Sequence, residues 1–243
     1  MITVKDITFN YQGKNSQGEV EVFKNFSLEI FDGEFLSLVG PSGCGKTTLV
    51  NIIAGYLKPF SGGVVINGDN ITLPGKDRIV INQENDLFEW MTVYENMKLI
   101  TKDDDSIDKY LLMTHLTKFK NYYPRELSGG MKKRLSLARA LVVDSGFIIM
   151  DEPFGSLDNQ IKEKLHEEVL QIVKQSGKTI LLVTHDVEEA IFLSDRILLL
   201  SGKPVTIKQE IKIPFNHPRY LSLRDSAEFS KFRSIVRQAI NHH

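Results

Sequence analysis

The residues best suited to chemistry lie in a glycine-rich segment, residues 40–47, which reads GPSGCGKT. This spacing fits the pattern G-x-x-x-x-G-K-[ST], whose glycines let backbone N–H groups surround a phosphate chain. Lys46 would place a positive charge near the β- and γ-phosphates, and the Thr47 hydroxyl is suited to bind Mg²⁺. The predicted nucleotide-binding residues here are Gly40, Pro41, Ser42, Gly43, Cys44, Gly45, Lys46, Thr47 and Thr48.

A second block, residues 147–152 (FIIMDE), places two carboxylates after a short apolar run. Buried strands seldom end in adjacent acids unless a cation lies nearby. We therefore expect Asp151 to bind Mg²⁺ through a water molecule and Glu152 to polarise the water that attacks the γ-phosphate. The alternative is a solvated strand end before a turn at Pro153.

Both blocks need elements that hold them in place. Residues 34–39 are typical of a buried strand that runs into the glycine-rich loop, and residues 48–57 have apolar residues at helical spacing. The helix would turn its positive end toward the phosphates. Residues 179–183 are typical of a further buried strand, which ends just before His185.

The chain resembles the ATP-binding subunits of ABC transporters over essentially its whole length, because further motifs follow in the order of that family. Residues 127–131, LSGGM, resemble the ABC signature, and residues 156–158, SLD, resemble the D-loop. Gln83 stands where the Q-loop glutamine is expected, and His185 matches the switch histidine. Tyr11 is placed like the aromatic residue that stacks on adenine.

The resemblance implies a role for each of these residues. Gln83 would bind Mg²⁺ through its amide oxygen and act with Lys46, Glu152 and His185 in catalysis. His185 would hydrogen-bond the γ-phosphate and the attacking water. The signature would reach across a dimer interface to the γ-phosphate held by the partner chain. The remaining nucleotide-binding residues implied are Tyr11, Ser128, Gly129, Gly130, Met131 and Asp158.

Each role has a plainer alternative. Ser128 is also a good N-cap for the helix predicted over residues 131–141. A histidine that ends a strand is often only a core residue, and a tyrosine in a hairpin often packs on a sheet face. Polar loop residues such as Gln83 are usually just solvated. The family usually has glutamine where Met131 stands, so a modest effect on the phosphate contact is expected.

The predicted fold class is α/β, with a P-loop NTPase core, an antiparallel β-subdomain and an inserted α-helical subdomain. We expect residues 1–83 to form the β-subdomain and phosphate-loop core, with turns at residues 31–33, 60–63 and 67–68. Residues 84–141 would form the helical subdomain, in which the acidic run 102–106 is a solvated loop and helix cap. Residues 142–212 would continue the core. Residues 213–243 would be an extension with a loop and a short amphipathic helix; His242 and His243 are either native or a cloning remnant.

Composition excludes several classes of protein. The chain has 243 residues, 42% hydrophobic and 25% charged, with formal net charge −1, so there is no overall bias toward nucleic acid. The single cysteine, Cys44, excludes an internal disulfide and a cysteine-built zinc site. No apolar run approaches the length of a membrane span, and the first residues do not resemble a secretory leader. We expect the chain to fold in the cytoplasm.

The segment at residues 84–93 suggests what hydrolysis drives. It carries Leu87, Phe88, Trp90 and Met91 directly after the Q-loop position, where the family receives a coupling helix of the membrane permease. Packing within the helical subdomain is an equal alternative. The segment and the tail resemble nitrate, sulfonate, taurine and bicarbonate-type importers, although Glu89 stands where that group often has proline.

The resemblance thus implies the ATPase of a bacterial importer at the cytoplasmic face of the inner membrane. Its partners would be a second copy or similar ATPase subunit, permease subunits and, indirectly, an external solute-binding protein. One alternative is a soluble ABC ATPase of DNA repair or translation, but the coiled coil, cysteine-rich module or second cassette usual there is not seen. Another is a non-hydrolytic nucleotide-binding module, which Glu152 and His185 oppose.

Overall fold

The computed structural model describes residues 1–12, 19–82, 86–143, 145–155 and 157–241. Within these ranges the strands are β1 (Ile2–Tyr11), β2 (Val20–Ile30), β3 (Phe35–Val39), β4 (Ser61–Ile66), β5 (Asp69–Ile71), β6 (Arg78–Ile81), β7 (Phe147–Asp151), β8 (Thr179–Thr184), β9 (Arg196–Leu200) and β10 (Ile207–Lys212). The α-helices are α1 (Lys46–Ala54), α2 (Val93–Lys98), α3 (Asp104–Met113), α4 (Gly129–Val142), α5 (Asn159–Ser176), α6 (Val187–Leu193) and α7 (Ala227–Asn241). Short 3₁₀ turns lie at Thr117–Phe119, Pro124–Glu126 and Leu221–Asp225.

A four-stranded antiparallel sheet has the order β2-β1-β4-β5. The turn predicted between β4 and β5 is present, with positive φ at both Asn67 and Gly68. The turn predicted at residues 60–63 is wrong, because β4 already begins at Ser61. Gly62 has φ +72°, and a Cβ there would lie 2.3 Å from the carbonyl oxygen of Asp6. Gly62 therefore allows a close, irregular pairing of β4 with β1 and does not form a chain reversal.

A six-stranded sheet, in the order β10-β9-β3-β8-β7-β6, carries the candidate site. All neighbouring strands from β9 to β6 run parallel, and β10 pairs antiparallel with β9 at one edge. The carboxyl ends of β3, β7 and β8 therefore meet at one edge of the sheet, where open α/β sheets bind their ligands. This architecture confirms the predicted α/β class with a P-loop core, whereas the division of the chain into four segments stays a prediction.

Both faces of this sheet are covered, which explains its apolar runs without polar alternation. Leu36 and Leu38 of β3 belong to the core shared with α1 and the antiparallel sheet. Phe35 and Val39 point to the opposite face, where α4, α5, α6 and α7 pack. The strand that leads into the glycine-rich loop is thus held from both sides.

The helices between β6 and β7 share a smaller core of their own. It is formed by Val93, Met97, Ile107, Leu111, Leu116, Leu127, Leu135 and Ala138. A capping box of Thr92 and Glu95 begins α2. Asp103 caps α3, which confirms the helix cap predicted within the acidic run.

The segment beyond β10 is anchored by one buried arginine, Arg219. Its guanidinium donates hydrogen bonds to the backbone carbonyls of Phe215, Ile191, Phe192 and Ser194. Burial lowers the pKa of Arg219 to about 10, although the negative charge of Asp195 opposes this shift. Three of the four carbonyls lie at the end of α6, so the extension braces the helix that follows His185. The helix α7 has 15 residues and is longer than the short helix predicted.

Candidate nucleotide-binding site

The glycine-rich loop joins β3 to α1 and is tightly enclosed at Gly45. This residue has φ +130°, and a Cβ there would lie 2.7 Å from Val22 Cγ1 and 3.0 Å from Val205 Cγ2. Only glycine satisfies both the backbone angle and the space. Because Lys46 begins α1, the free N–H groups of that helix end lie in the loop, as phosphate binding requires.

Lys46 is buried, and its ammonium curls back over the loop. Nζ donates to the carbonyl oxygens of Gly40 at 2.8 Å and Pro41 at 3.0 Å. An ammonium has three donors, so one proton is left for a phosphate oxygen. The lysine therefore both shapes the loop and places a charge at it.

Cys44 is the loop residue whose thiol turns away from the site. The side chain is buried in the core beneath the antiparallel sheet. Its backbone N–H donates to the carbonyl oxygen of Pro41 at 3.3 Å. The nucleotide contact predicted for Cys44 is through that N–H and stays a prediction.

Asp151 carries the features of a cation ligand. Burial raises its pKa and the nearby Glu152 charge adds to this, whereas a hydrogen bond from Thr47 and the charge of Lys46 oppose the rise. Its Oδ1 atom is buried without a hydrogen-bond partner in the described part of the chain. A buried carboxylate oxygen left in this state is costly unless a cation satisfies it. Thr47 and Asp151 therefore fit Mg²⁺.

No group of three His, Cys, Asp or Glu side chains within the described ranges forms a metal site. In phosphate sites Mg²⁺ usually takes only one or two protein ligands, and Thr47 and Asp151 would supply them here. Gln83, the other predicted Mg²⁺ ligand, lies outside the described residues.

Glu152 directly follows Asp151 in an unusual backbone conformation. Its φ is +47°, which is strained for a residue with a side chain. The backbone N–H is held by the carbonyl of Val183 on the adjacent β8, at 2.9 Å. Carboxylate Oε2 lies 3.3 Å from Nδ1 of His185, whose side chain is largely exposed. Two predicted catalytic groups from neighbouring strands thus meet, and His185 is not a core histidine.

One cavity of about 250 Å³ brings the glycine-rich loop, Tyr11 and Glu152 together, whereas His185 lines a separate cavity. Its walls are Tyr11, Val22, Ser42, Gly43, Gly45, Lys46, Thr47, Thr48, Glu152 and Lys203. Most of these residues were predicted from the sequence. Lys203 was not, because it lies in a short loop without a phosphate-binding motif and reaches the cavity only through the fold.

Tyr11 packs against a neighbouring ring and also lines the cavity, whereas its stacking on adenine stays a prediction. Its ring packs edge-on against Phe9, with centroids 5.0 Å apart, and its hydroxyl lies 3.2 Å from Thr48 Oγ1. The side chain nevertheless stays exposed and forms part of the cavity wall. A ring fixed on one edge with a free surface is suited to stack on a base.

Replacing Tyr11 with alanine is expected to weaken ATP binding by about 5- to 150-fold, because stacking on a base contributes roughly 1–3 kcal/mol. Tyr11→Phe is the matched control, since it keeps the ring and loses only the hydroxyl contact with Thr48. Isothermal titration calorimetry with ATP measures both variants. Equal affinity of Tyr11→Ala and the unmodified chain would leave Tyr11 with a packing role only.

The signature residues lie away from this cavity. Ser128 is the N-cap of α4, and its Oγ accepts a hydrogen bond from the N–H of Met131 at 3.3 Å. Among the described residues, none of 128–131 is in the cavity wall. A Cβ on Gly129 would lie 3.0 Å from Leu157 and one on Gly130 would lie 2.9 Å from Ile161, so their small size also serves packing. The plainer N-cap role is thus present, and a contact with a partner's nucleotide stays a prediction.

The D-loop region is described only in part. Ser156 lies outside the described residues. Asp158 is the N-cap of α5, because its Oδ1 accepts a hydrogen bond from the N–H of Ile161 at 3.0 Å. A contact of Asp158 with the nucleotide stays a prediction.

Known proteins resemble this chain over most of its length. A model of the ABC transporter family matches residues 23–155. The aliphatic sulfonates import ATP-binding protein SsuB of Bacillus anthracis is 40% identical over 230 residues, which cover 93% of this chain and 90% of SsuB. The taurine import ATP-binding protein TauB of Roseobacter denitrificans is 42% identical over 222 residues, 88% of this chain and 82% of TauB. Among solved structures, the dimeric bacterial ABC transporter cassette MJ0796 is 31% identical with a TM-score of 0.75, and the match covers 89% of this chain and 100% of that one.

These likenesses confirm the family and the importer group that the motifs resemble. The ATP-binding subunits of this family are ATPases that use Mg²⁺, so the predicted enzyme class and cofactors are confirmed as well. The chain belongs to the ABC transporter family, as one of its ATP-binding subunits.

Proposed function

We propose that this chain hydrolyses Mg-ATP to drive solute import, working as one of two ATPase subunits beneath membrane-spanning partners. The observation that carries the proposal is the single cavity in which Lys46 and Thr47 of the phosphate loop face Glu152. Phosphate binding and water activation would thus take place in one shared space.

The roles of the chain's own groups follow from their positions. Thr47 and Asp151 would hold Mg²⁺, which when bound neutralises charge on the phosphate oxygens. Lys46 would stabilise the negative charge on the γ-phosphate during transfer. Glu152 would take a proton from water as its oxygen attacks the γ-phosphorus and the bond to the β-phosphate breaks, which leaves ADP and phosphate. His185 would hydrogen-bond the γ-phosphate and the attacking water, and its contact with Glu152 would also orient that carboxylate.

A second copy of the chain would complete each site. Ser128, Gly129, Gly130 and Met131 lie at a helix N-terminus outside the cavity, where free N–H groups could meet a phosphate held by another chain. Asp158 would lie at the same interface. The similar cassette MJ0796 has been solved as a dimer, which supports a paired arrangement.

The segment after the Q-loop position would receive the permease. Leu87 is partly buried against the helical core, whereas the Trp90 side chain is 71% exposed and its ring lies edge-on to Phe88. Packing thus accounts for Leu87, and Trp90 is the residue free to contact a partner. Exposed tryptophan is a frequent anchor of protein interfaces.

The described helices include none that is both long and apolar enough to span a bilayer. Partner permease subunits would therefore bring the chain to the membrane, at its cytoplasmic face, and an external solute-binding protein would deliver the solute to them. The relatives SsuB and TauB are named import ATP-binding proteins, which favours this arrangement over a soluble ABC ATPase of DNA repair or translation.

Trp90→Ala is expected to reduce co-sedimentation of the chain with permease-containing membranes at least tenfold, since loss of an interface anchor costs about 2 kcal/mol or more. Leu112→Ala is the matched control, because Leu112 is a similarly exposed apolar residue on α3. Unchanged sedimentation of Trp90→Ala would place the permease contact elsewhere.

Phosphate release by the chain assembled with its permease tests the proposed function. Turnover should require both ATP and Mg²⁺, and EDTA should stop it. Binding of the chain to bare anionic vesicles, with no need for a permease, would contradict recruitment by partner subunits.

A further inference from the structure

Lys203 is a charged residue of the cavity wall that belongs to none of the motifs described above. It lies in the loop between β9 and β10, at residues 201–206, and forms part of the same wall as Tyr11, Thr48 and Lys46. Its side chain is exposed toward the cavity side of the molecule. A second cation therefore faces the space proposed for the nucleotide.

The loop that carries Lys203 is fixed at its base. The N–H of Ser201 donates to the carbonyl oxygen of Thr206 at 3.0 Å, and their hydroxyl oxygens lie 2.6 Å apart. The N–H of Thr206 also donates to Ser201 Oγ at 3.2 Å. These bonds close the loop into a tight hairpin and restrict the positions that the backbone of Lys203 can adopt.

The same loop is tied to the phosphate-binding side of the cavity. Val205 is buried, and its N–H donates to the carbonyl oxygen of Val22 at 2.8 Å. The side chains of Val22 and Val205 together fill the space beside Gly45 of the phosphate loop. Val205 thus packs directly against the loop that would bind phosphates, and Lys203 precedes Val205 by only two residues in the chain.

The charges around the cavity leave Lys203 available for an anion. None of the ion pairs of 4.0 Å or less within the described ranges involves Lys203. Lys46 already gives two of its donors to the loop carbonyls. A nucleoside triphosphate keeps a net negative charge even when it carries Mg²⁺, and this charge is more than Lys46 alone can balance.

We propose that Lys203 is a further nucleotide-binding residue, whose ammonium pairs with the phosphate chain of bound ATP. The inference rests on the proposed function and adds a contact from outside the family motifs. A charge-assisted contact at a partly exposed site contributes modestly and is weakened by salt.

The test compares ATP binding by three variants with the unmodified chain, by calorimetry at low and high ionic strength. Lys203→Met keeps the length of the side chain without its charge, and Lys203→Arg keeps the charge. Lys212→Met is the control, because Lys212 is an exposed lysine at the far end of β10.

At low ionic strength Lys203→Met should weaken ATP binding about 3- to 10-fold, as expected for one charge-assisted hydrogen bond. In about 0.5 M salt the difference should shrink below twofold, because screening weakens exposed charge pairs. Lys203→Arg and Lys212→Met should both stay within about twofold of the unmodified chain throughout.

Three results would overturn the inference. Equal binding by Lys203→Met and the unmodified chain would remove Lys203 from the site while leaving the proposed function intact. A loss that is equal in Lys203→Arg and insensitive to salt would assign Lys203 a role in loop structure. If the unmodified chain does not bind Mg-ATP, both the proposed function and the contact of Lys203 with ATP are refuted.

Discussion

Lys46→Ala is expected to abolish ATP hydrolysis, with kcat reduced by at least a hundred- to a thousandfold. The ammonium lies within the cavity and has one donor left after its bonds to Gly40 and Pro41. Removing it takes away the charge that stabilises the transferring phosphate and also frees two carbonyls of the loop. Weaker nucleotide binding should therefore accompany the loss of turnover.

Phosphate release and ATP titration measure the two effects separately. Lys58→Ala is a matched control, because Lys58 is an exposed lysine just past the other end of α1. It should keep normal turnover and affinity. Normal hydrolysis by Lys46→Ala would mean that the cavity is not the site of phosphoryl transfer.

Glu152→Gln is expected to retain ATP binding while hydrolysis falls by roughly 100- to 10,000-fold, the range typical of a lost general base. Glutamine has the same shape and tolerates the strained backbone at φ +47° no worse than glutamate does. Its amide can still contact His185, 3.3 Å from the present carboxylate, but it cannot accept a proton from water. The variant should therefore stop after nucleotide binding.

If binding of ATP closes a dimer and hydrolysis reopens it, Glu152→Gln should accumulate as a dimer. Gel filtration with Mg-ATP should show that species, and removal of the nucleotide should return the monomer. A variant that binds ATP yet elutes only as a monomer would argue against nucleotide-driven closure. Full turnover by Glu152→Gln would transfer the role of base to another group.

The central residues of the candidate site could be predicted from the sequence because their chemistry depends on short local patterns, and their roles stay predictions. The loop from Gly40 to Thr47 must have glycines and a lysine at fixed spacing, whatever the rest of the fold does. The same holds for Asp151 and Glu152, which end an apolar strand. These residues converge because parallel strands place their carboxyl ends at one edge of the sheet.

What the sequence could not predict depends on contacts between distant segments. Lys203 lies more than 150 residues from the phosphate loop, and the pairing of β3 with β9, together with the hydrogen bond between Val205 and Val22, brings its loop there. The prediction of a turn at residues 60–63 was wrong because a glycine in sequence can mark either a turn or a close contact between strands. Gly62, with its positive φ, allows the close contact with β1. The difference between Leu87 and Trp90 could not be predicted from the sequence, because it depends on which of the two side chains packs against the helical core.

The most direct test of the account uses two defective chains that would complement each other. One carries Lys46→Ala in the phosphate loop, and the other carries Ser128→Arg at the N-cap of α4. Each alone forms only homodimers with two damaged sites. In a heterodimer, one composite site receives both defects, whereas the other joins an intact loop to an intact signature.

Heterodimers purified through two different affinity tags are incubated with Mg-ATP, and the trapped nucleotide is counted. A site shared between chains predicts about one occluded ATP per heterodimer and none for either parent. Verified heterodimers that trap no ATP would contradict the shared site, because each chain would then depend on its own Ser128 and remain defective.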